Sequence, residues 1–365
     1  MIYDRYYYSK LNNDQKAGYK TIYAAFERFE KEIFLNCGML SVEDVWNIVY
    51  AIDLDNPHMF YVDFGNIKIK TVLGMIVVTV TYFYNQNEVA QIQPKIHKTT
   101  NNILKRVRGT TAYEKVLSLH DVLAENILYD DNAADDIDKY YLKSNTILGV
   151  LFFKTAVCEG ISKTFKLLLN MLDIKCLIVA GDTDENAAKD VKHAWNIVKI
   201  DGASYHIDLT WDVNRSFPNA ISHVYFCLTD SEAMKKHRWK FNEVPICNFA
   251  KNYYEEENLI AHNDCDVRRI IDNACSQGKT AVEIQTAITK TANEYASMCM
   301  QVVSRRAQSE VTVEIELKSD RSVVLFRWAL NGKNLQNKQR NKNIILAQNK
   351  NRGLFESIKN FFDKF

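Results

Sequence analysis

With 365 residues and a mass of 42.2 kDa, the chain is long enough for two or three compact units and a sizeable hydrophobic core. Its 46 basic and 45 acidic side chains leave a net charge of +1, which excludes a chain-wide field that attracts nucleic acid or an anionic membrane. A hydrophobic content of 47%, with only 12 glycines and 4 prolines, excludes a disordered or fibrous protein. The composition therefore predicts an ordinary globular protein, and no nucleic-acid partner is expected.

The spacing of the cysteines and the character of residues 1–10 indicate the cellular compartment of the protein. The eight cysteines show no Cys-x-x-Cys spacing of the kind that zinc sites and redox pairs use, which favours scattered thiols in a reducing compartment. Residues 1–10 lack a basic start followed by an apolar stretch, so no signal peptide is recognised. The most apolar segment, residues 72–84, is shorter than the roughly 18 residues that span a bilayer and is interpreted as a buried strand. We therefore expect a cytoplasmic protein without a transmembrane segment.

The N-terminal unit, residues 1–105, is predicted to combine helices and a sheet. An aromatic stripe at three- and four-residue steps predicts a helix that starts near Asn13 and buries that stripe in the core. Ser41 and Asp44 have the spacing of a capping box, which predicts a second helix. Residues with β-branched and aromatic side chains then predict strands over residues 60–64, 67–72 and 75–84.

Neither a metal nor a cofactor is expected. A cluster of acidic residues follows a helix that is predicted from Tyr113 to Ile127, and it consists of Asp130, Asp131, Asp135, Asp136 and Asp138. These carboxylates lack the spacing of a calcium loop, so a solvated turn that caps the next helix is the favoured interpretation. Glycine-rich phosphate-binding motifs are absent from the sequence, which removes the usual support for nucleotide chemistry.

Cys158 is predicted to open an amphipathic helix, whose buried face is marked by Ile161, Phe165, Leu168 and Leu172. Peptide N–H groups without partners and the positive end of the helix dipole favour a thiolate at such a position. Taken alone, a cysteine is more often an inert buried thiol, so a catalytic interpretation depends on partners elsewhere in the chain.

Those partners are predicted to come from a β-hairpin. His193 begins one predicted strand, an Asp-Gly pair forms the turn, and residues 205–211 form the returning strand. A two-residue turn puts His193 on the same face as Asp208, at a diagonal separation of roughly 7 to 8 Å that one hydrogen bond can close. Cys158, His193 and Asp208 are therefore candidates for a catalytic triad in which the thiolate attacks a carbonyl, which leads to amide chemistry.

Other polar and aromatic residues near these segments are further candidates for the site. Asp212 is the alternative carboxylate, because it lies on the same predicted strand face as Asp208. Asn145 and Tyr141, upstream of the cysteine helix, are candidate donors to the oxyanion of a tetrahedral intermediate. Two aromatic residues are candidates for the wall of the cleft, although a role in the core is favoured for both: Trp195 and Trp211.

Three strings of residues together resemble one known family. They are Ala-Val-Cys-Glu-Gly-Ile-Ser-Lys around Cys158, His-Ala-Trp-Asn-Ile-Val-Lys-Ile-Asp-Gly from His193, and Tyr-His-Ile-Asp-Leu-Thr-Trp-Asp around Asp208. In this order they resemble the bacterial transglutaminase-like superfamily, whose core is related to papain-like cysteine proteases, over residues 111–239. The resemblance implies that Cys158 is the nucleophile, His193 the general base and Asp208 the orienting carboxylate. It also implies an α+β core, with the cysteine helix packed on an antiparallel sheet, and acyl transfer through a thioester to water or an amine.

The transglutaminase-like core is predicted to occupy residues 106–250, and two further segments follow it. A small C-terminal domain, residues 251–330, is predicted to contain two helices between residues 267 and 296 and a hairpin that turns near Ser319 and Asp320. Residues 331–365 are predicted to form a basic linker and an amphipathic terminal helix. That helix is expected to dock on the chain itself, on a protein partner or on a membrane surface.

These patterns predict a cysteine enzyme that acts on protein or peptide amide bonds through a thioester acyl-enzyme. Hydrolysis by a peptidase or deamidase is favoured over transglutaminase-type amine transfer, because no tunnel that would keep water from an amine can be inferred from the sequence. The alternative is a catalytically inactive transglutaminase-like binding or scaffold module that keeps the fold.

Overall fold

The computed structural model divides the chain into two compact units. The first unit comprises Met1–Val122, Tyr129–Tyr205 and Met234–Cys247, and the second comprises Leu123–Leu128, His206–Ala233 and Asn248–Phe365. The residues that the structure describes are 5–36, 38–131, 133, 142–185, 188–217, 219–240, 244–318 and 320–331. The predicted features outside these ranges are the linker and helix beyond residue 331, together with Asp135, Asp136, Asp138 and Tyr141.

The N-terminal part of the first unit contains helices and a three-stranded antiparallel sheet. The helices are α1 (Tyr6–Lys10), α2 (Asn13–Glu27), α3 (Val42–Asp55) and α4 (Gln86–Leu104). The sheet has the strand order β1-β3-β2 and consists of β1 (Glu32–Asn36), β2 (Lys68–Val72) and β3 (Met75–Thr79). The predicted mixture of helix and sheet is therefore confirmed for this part of the chain.

Local sequence explains where α2 and α3 begin. Asn12 and Gln15 form one capping box, and Ser41 and Asp44 form another, as the Ser41 spacing predicts. Each box satisfies peptide N–H groups that the first turn of a helix leaves without an intrahelical partner.

One predicted strand does not form. Residues 60–64 contribute only an isolated bridge between Val62 and Tyr82, and a 3-10 turn begins at Phe64. Phe60, Tyr61 and Val62 are all buried, whereas a strand with one solvent-facing side exposes alternate residues. The aromatic and β-branched composition of this segment therefore reflects burial on every side and not strand pairing.

The rest of the first unit is built around a helix packed on a sheet. Before that helix in the chain come α5 (Ala112–Asn126), β4 (Leu128–Tyr129), a π-helical turn (Gly149–Phe153) and β5 (Thr155–Ala156), of which Leu123–Leu128 belong to the second unit. Helix α6 (Cys158–Met171) packs on a sheet of order β8-β7-β6-β9, whose strands are β6 (Cys176–Glu185), β7 (Ala188–Ile200), β8 (Ala203–Ile207) and β9 (His237–Arg238). Strand β6 pairs in antiparallel fashion with β7 and with β9. The predicted α+β arrangement, with the cysteine helix on an antiparallel sheet, is confirmed.

The turn between β7 and β8 is the one that the Asp-Gly pair predicts. Asp201 and Gly202 have φ values of 50° and 90°. A positive φ at both central residues defines a type I′ turn, which suits the right-handed twist of the strands that it joins.

The returning strand is shorter than predicted. It was expected over residues 205–211 but ends at Ile207, and helix α7 (Leu209–Arg215) begins after Asp208. The Asp208 carboxylate accepts a hydrogen bond from the peptide N–H of Trp211, which caps α7 and directs the chain out of the strand.

The second unit contains helices and a four-stranded sheet. After α7, its helices are α8 (Asp230–Ala233), α9 (Tyr253–Glu256), α10 (Asp264–Ser276) and α11 (Ala292–Ala307). The sheet has the order β10-β11-β13-β12, with strands β10 (Ile260–Ala261), β11 (Ala281–Thr286), β12 (Val311–Lys318) and β13 (Val323–Leu330). The predicted C-terminal hairpin is confirmed as β12 and β13. Strand β11 lies between the two predicted helices and is not predicted from the sequence. It is buried almost throughout, so it lacks the alternation of apolar and polar residues that indicates a strand.

The described residues contain neither a membrane-spanning helix nor a disulfide, and they include the most apolar segment of the sequence. Within them, no helix combines the length and the apolar character needed to cross a bilayer. The seven cysteines that fall in the described ranges form no disulfide. The segment 72–84 contains β3, whose Ile76, Val77 and Val78 are buried as expected for a core strand.

Candidate active site

Cys158 is the first residue of α6, and it is partly exposed. The preceding residue, Val157, is the N-cap and supplies no side-chain hydrogen bond to the first turn. Peptide N–H groups in a first turn carry partial positive charge, and the N-cap side chain does not compete for them. Cys158 therefore occupies the helix start that the sequence predicts.

The segment before α6 lies against its first turn. A methyl group on Gly160 would come within 2.3 Å of the Ser144 carbonyl oxygen and 3.0 Å of the Thr146 carbonyl oxygen, so glycine is needed for this approach. The peptide N–H of Val157 also donates to the Ser144 carbonyl at 3.1 Å. The Ser144 hydroxyl donates to the buried carboxylate of Asp130. Asp130, which was expected in a solvated turn, instead anchors this segment.

Asn145 is one of the two predicted oxyanion donors, and it lies within the described ranges. In the chain it stands between Ser144 and Thr146, whose carbonyl groups border Gly160. The residue is 7% exposed, and its Nδ2 atom makes no hydrogen bond with any described residue. Burying such a donor without a partner costs about 1 to 3 kcal/mol, so the arrangement is uncommon without a ligand or water to engage it. The other predicted donor, Tyr141, lies outside the described ranges.

Hydrogen bonds of Ser162 hold the first turns of α6 beside the middle of β7, the strand that carries His193. The prediction that His193 begins this strand is wrong, because pairing with β6 extends β7 back to Ala188. Ser162 lies one helical turn after Cys158, and its hydroxyl donates to the Ala194 carbonyl at 3.0 Å. The Asn196 side chain donates back to the Ser162 carbonyl at 3.1 Å. Both bonds are buried, which makes them strong and keeps the two segments in a fixed relation.

The imidazole of His193 belongs to a cluster of packed rings. Its centroid lies 6.0 Å from that of the Trp195 ring, in a nearly parallel arrangement, and 5.8 Å from that of His237. Trp195 is only 1% exposed, so it supports His193 from the core and does not line a cleft. His237 is equally buried and is a neighbour that sequence reasoning missed, although it lies within the stretch that resembles the family.

Gly181 faces His193 across the β6 and β7 pair. A methyl group at this position would lie 2.2 Å from the Arg238 carbonyl oxygen and 2.9 Å from the Trp195 indole. Glycine therefore allows β9 and the indole to approach β6 closely, which supports the sheet where it carries His193.

Asp208, the predicted orienting carboxylate, is 2% exposed and caps α7 in the second unit. Its Oδ1 atom accepts the Trp211 peptide N–H at 3.0 Å, and its own N–H donates to the Tyr225 carbonyl at 3.0 Å. The alternative carboxylate, Asp212, accepts the Tyr225 peptide N–H at 3.1 and 3.2 Å. Trp211, the second candidate wall residue, is 2% exposed and therefore belongs to the core.

An ion cluster connects α6 to α3. The Lys163 Nζ atom lies 2.7 Å from Asp53 Oδ1 and 2.6 Å from Glu159 Oε1, and 7% of the lysine side chain is exposed. Burial raises the pKa of Glu159, which directly follows Cys158, and the Lys163 ammonium opposes that rise. The cluster therefore attaches the first turn of the cysteine helix to the N-terminal part of the chain.

An open groove of about 1080 Å³ borders His193 and lies entirely within the first unit. One side is formed by α1, α3 and the residues between α1 and α2, and includes Tyr7, Lys10, Leu11, Trp46 and Tyr50. The other side is formed by β6, β7 and the chain around β9, and includes Asp182, Lys192, Arg238 and Lys240. A concave surface of this size beside a candidate base is large enough for a peptide segment.

The family comparison concerns the segment that contains the candidate site residues. The model of the transglutaminase-like superfamily matches residues 101–209, which include Cys158, His193 and Asp208. This part of the chain belongs to the transglutaminase-like superfamily. The transglutaminase-like segment thus runs from the end of α4 through the cysteine helix and the β7-β8 hairpin to the start of α7.

Two curated proteins to which this chain is similar are both named kyphoscoliosis peptidase. The human protein is 22% identical over 202 residues, which cover 48% of this chain and 29% of the relative. The mouse protein is 22% identical over 238 residues, which cover 60% of this chain and 31% of the relative. The chain therefore spans about three tenths of the length of these relatives. A solved structure described as that of a TGase is 23% identical, with a TM-score of 0.30 and coverage of 40% of this chain and 43% of the other.

Proposed function

We propose that this chain is a cysteine enzyme that cleaves protein or peptide amide bonds through a thioester acyl-enzyme. One observation supports the proposal: hydrogen bonds of Ser162 and Asn196 join the helix that begins at Cys158 to the part of β7 that follows His193. Membership of this segment in the transglutaminase-like superfamily supports it. In this proposal Cys158 is the nucleophile, His193 is the general base, and Asp208 orients the imidazole.

The proposed reaction has two halves. In the first, the imidazole takes the thiol proton, the sulfur bonds to the amide carbon, and the carbonyl oxygen becomes an oxyanion. Collapse of this intermediate breaks the carbon–nitrogen bond, and the imidazolium gives its proton to the departing amine. In the second half, water loses a proton to the imidazole and attacks the thioester. The carbon–sulfur bond then breaks, the acid leaves, and the thiol is restored.

Typical rate factors show which parts of the proposed site must contribute most to the rate. An ordinary thiol with a pKa near 8.5 is about 3% ionised at pH 7, so complete ionisation adds only roughly 30-fold to the rate. Protonation of the leaving nitrogen contributes about 10²- to 10⁴-fold. Donors to the oxyanion contribute about 10²- to 10³-fold each. The proposal therefore depends on His193 as an acid and on an oxyanion donor at least as much as on the thiolate.

Hydrolysis is proposed over amine transfer because the groove beside His193 is open to solvent. Two aromatic side chains that line it, Trp46 and Tyr50, remain 44% and 40% exposed. Water therefore reaches this side of the site, whereas transfer to an amine requires that water be kept from the thioester. The name peptidase, which two relatives carry, agrees with hydrolysis.

The proposal is tested by profiling products of the full chain. A peptide library made from a digested proteome is incubated with wild type or with Cys158→Ser, and new termini and deamidated glutamines are identified by mass spectrometry. Wild type is expected to form products that Cys158→Ser does not form. Cys275→Ser is the matched control, because it removes another partly exposed thiol, and it should behave like wild type. Identical product sets for wild type and Cys158→Ser would reject the enzyme and favour a binding or scaffold module.

Asn145 is proposed as the side-chain donor to the oxyanion, because its buried Nδ2 atom makes no hydrogen bond with any described residue. Asn145→Ala is expected to lower kcat by about 10²- to 10³-fold and to leave KM nearly unchanged, since the donor acts only on the transition state. The measurement uses the best peptide from the profiling experiment.

Two controls separate this catalytic role of Asn145 from a structural one. Asn145→Asp keeps the size of the side chain but removes the amide donor, so it should share the loss of kcat. The thermal midpoint of Asn145→Ala should stay close to that of wild type, because no hydrogen bond of Nδ2 is lost. Wild-type kcat in both variants would contradict the proposal.

A further inference from the structure

A second groove, which lies entirely within the second unit, is lined mainly by arginine side chains. It has a volume of about 820 Å³, and residues of α10 and α11 form its walls. The described residues that line it are Arg268, Arg269, Asp272, Gln301, Val302, Arg305 and Arg306. We call this surface the arginine groove. Its lining therefore presents four guanidinium groups and one carboxylate.

Side-chain contacts join the two helices at the arginine groove. Arg268 Nη1 donates to Gln301 Oε1 at 2.9 Å. Arg306 Nε and Nη2 donate to the two carboxylate oxygens of Asp272 at 2.7 and 2.6 Å. Because Asp272 follows Arg268 by four residues, these contacts lie about one helical turn apart on α10. The apolar faces of both helices are buried in one core cluster, so the walls of the groove are held in place before any ligand binds.

Two of the four guanidinium groups are balanced by carboxylates. One belongs to the pair with Asp272, and Arg269 Nη2 lies 3.3 Å from Asp266 Oδ1. The partner of Arg268 is instead a neutral amide oxygen. No residue in the described part of the chain forms an ion pair or a side-chain hydrogen bond with the exposed guanidinium group of Arg305. Two positive charges therefore remain in the arginine groove after its carboxylates have been paired.

A phosphorylated side chain matches this remaining charge. It carries a charge of about −1.5 to −2 at pH 7 and has three acceptor oxygens. A guanidinium group donates two parallel hydrogen bonds to such oxygens. A single carboxylate, by contrast, carries one charge and balances only one of the two arginines.

The composition and the size of the arginine groove favour a polypeptide as the carrier of this phosphate. Sites for single-stranded nucleic acid combine a basic groove with aromatic rings on which bases stack, and the described lining contains no such ring. Val302 is the apolar side chain of that lining, so little surface is present for insertion into a bilayer. A volume of about 820 Å³ leaves room for the residues that flank a phosphorylated side chain.

We propose that the arginine groove binds a phosphoserine of a polypeptide partner, with the phosphate between Arg268 and Arg305. Arg268 has five N–H donors, so it can bond to the phosphate while it keeps its bond to Gln301. The pairs that Arg269 and Arg306 form hold the surrounding wall in place. This proposal concerns the second unit and does not rest on the proposed catalytic function.

Fluorescence anisotropy tests the proposal with the full chain carrying Cys158→Ser, so that the proposed activity does not consume the probe. The probe is a fluorescein-labelled peptide of glycine, alanine and serine with one central phosphoserine. One matched peptide has serine in place of the phosphoserine, and another has two adjacent glutamates, which supply a similar charge. The phosphopeptide is expected to bind at least about tenfold more tightly than either.

Variants of the arginine groove test its location. Arg305→Gln should weaken binding of the phosphopeptide at least about tenfold, and Arg305→Lys should recover only part of the affinity, because lysine keeps the charge but not the fork. Arg268→Gln should add a further loss. Arg305 is exposed, so its variants should keep the thermal midpoint of the parent. Lys279→Gln is the control, because it removes one charge from an exposed site of the same unit outside the groove, and it should bind like the parent.

Several outcomes would overturn this inference. They are equal affinity for the phosphopeptide and either matched peptide, unchanged affinity in Arg305→Gln, or an equal loss in the Lys279→Gln control. Tighter binding of an oligodeoxythymidine, or of vesicles that contain phosphatidic acid, would also overturn it, because the ligand would then be a nucleic acid or a membrane. None of these measurements involves turnover, so the proposed catalytic function is tested separately.

Discussion

Iodoacetamide at pH 7 is expected to alkylate Cys158 before any other described thiol, and His193→Ala should slow that reaction by up to roughly 30-fold. The reacting form is the thiolate, and in the proposed function the His193 imidazole takes the proton from the Cys158 thiol. Removing the imidazole leaves the helix start, so the rate should fall toward that of an ordinary thiol without reaching zero. The measurement is a time course of labelling at each cysteine by peptide mass spectrometry.

Two other cysteines make the labelling experiment decisive. Of the seven cysteines in the described ranges, Cys265 is the exposed one, so it would react before the other six if access alone controlled the rate. Cys275 is partly exposed like Cys158, but burial and the Asp272 carboxylate raise its pKa, so it should react slowly. Labelling of Cys265 ahead of Cys158, or an unchanged Cys158 rate in His193→Ala, would contradict the proposed pair.

Lys163→Met is expected to lower the free energy of unfolding by about 3 to 5 kcal/mol at pH 7. The ammonium of Lys163 bonds to Asp53 and to Glu159, and the three side chains are 7%, 19% and 25% exposed. Removing the cation leaves two carboxylates close together in a partly desolvated site. Urea denaturation followed by tryptophan fluorescence measures the loss.

The loss in Lys163→Met should depend on pH in a defined direction. Burial already raises the pKa of Glu159, and without the lysine nothing in this cluster opposes the rise. A carboxyl group whose pKa is higher in the folded than in the unfolded state stabilises the fold at low pH, and this stability is lost as pH rises through the folded pKa. The variant should therefore be more stable near pH 5 than near pH 8.

A second substitution tests the cause of this instability. Lys163→Met combined with Glu159→Gln removes one of the two carboxylates, so it should recover part of the stability and most of the pH dependence should disappear. Lys20→Met replaces an exposed lysine and should change stability by about 0.5 kcal/mol or less. A stability loss that is independent of pH and is not recovered in the double variant would assign the effect to packing of the lysine side chain.

Several features of the candidate site could be predicted because they depend on neighbouring residues. The start of α6 at Cys158 follows from the apolar period of the helix, and the β7-β8 turn follows from the Asp-Gly pair. Where two local signals competed, the prediction failed. Residues 205–211 alternate like a strand, but aspartate is also a favoured N-cap residue. The strand ends at Ile207, and Asp208 caps the helix that follows.

By itself, the sequence determined the cysteine helix, the hairpin turn and the order of the segments that resemble the transglutaminase-like superfamily. The tertiary structure alone decided that Trp195 supports His193 from the core, that Asn145 is a buried donor, and that the N-terminal helices form one side of the groove. The physical reason is the range of the interactions. Caps and helical periods involve residues within about four positions, whereas the bond from Tyr7 to Ile178 joins residues 171 positions apart, and no local pattern encodes it.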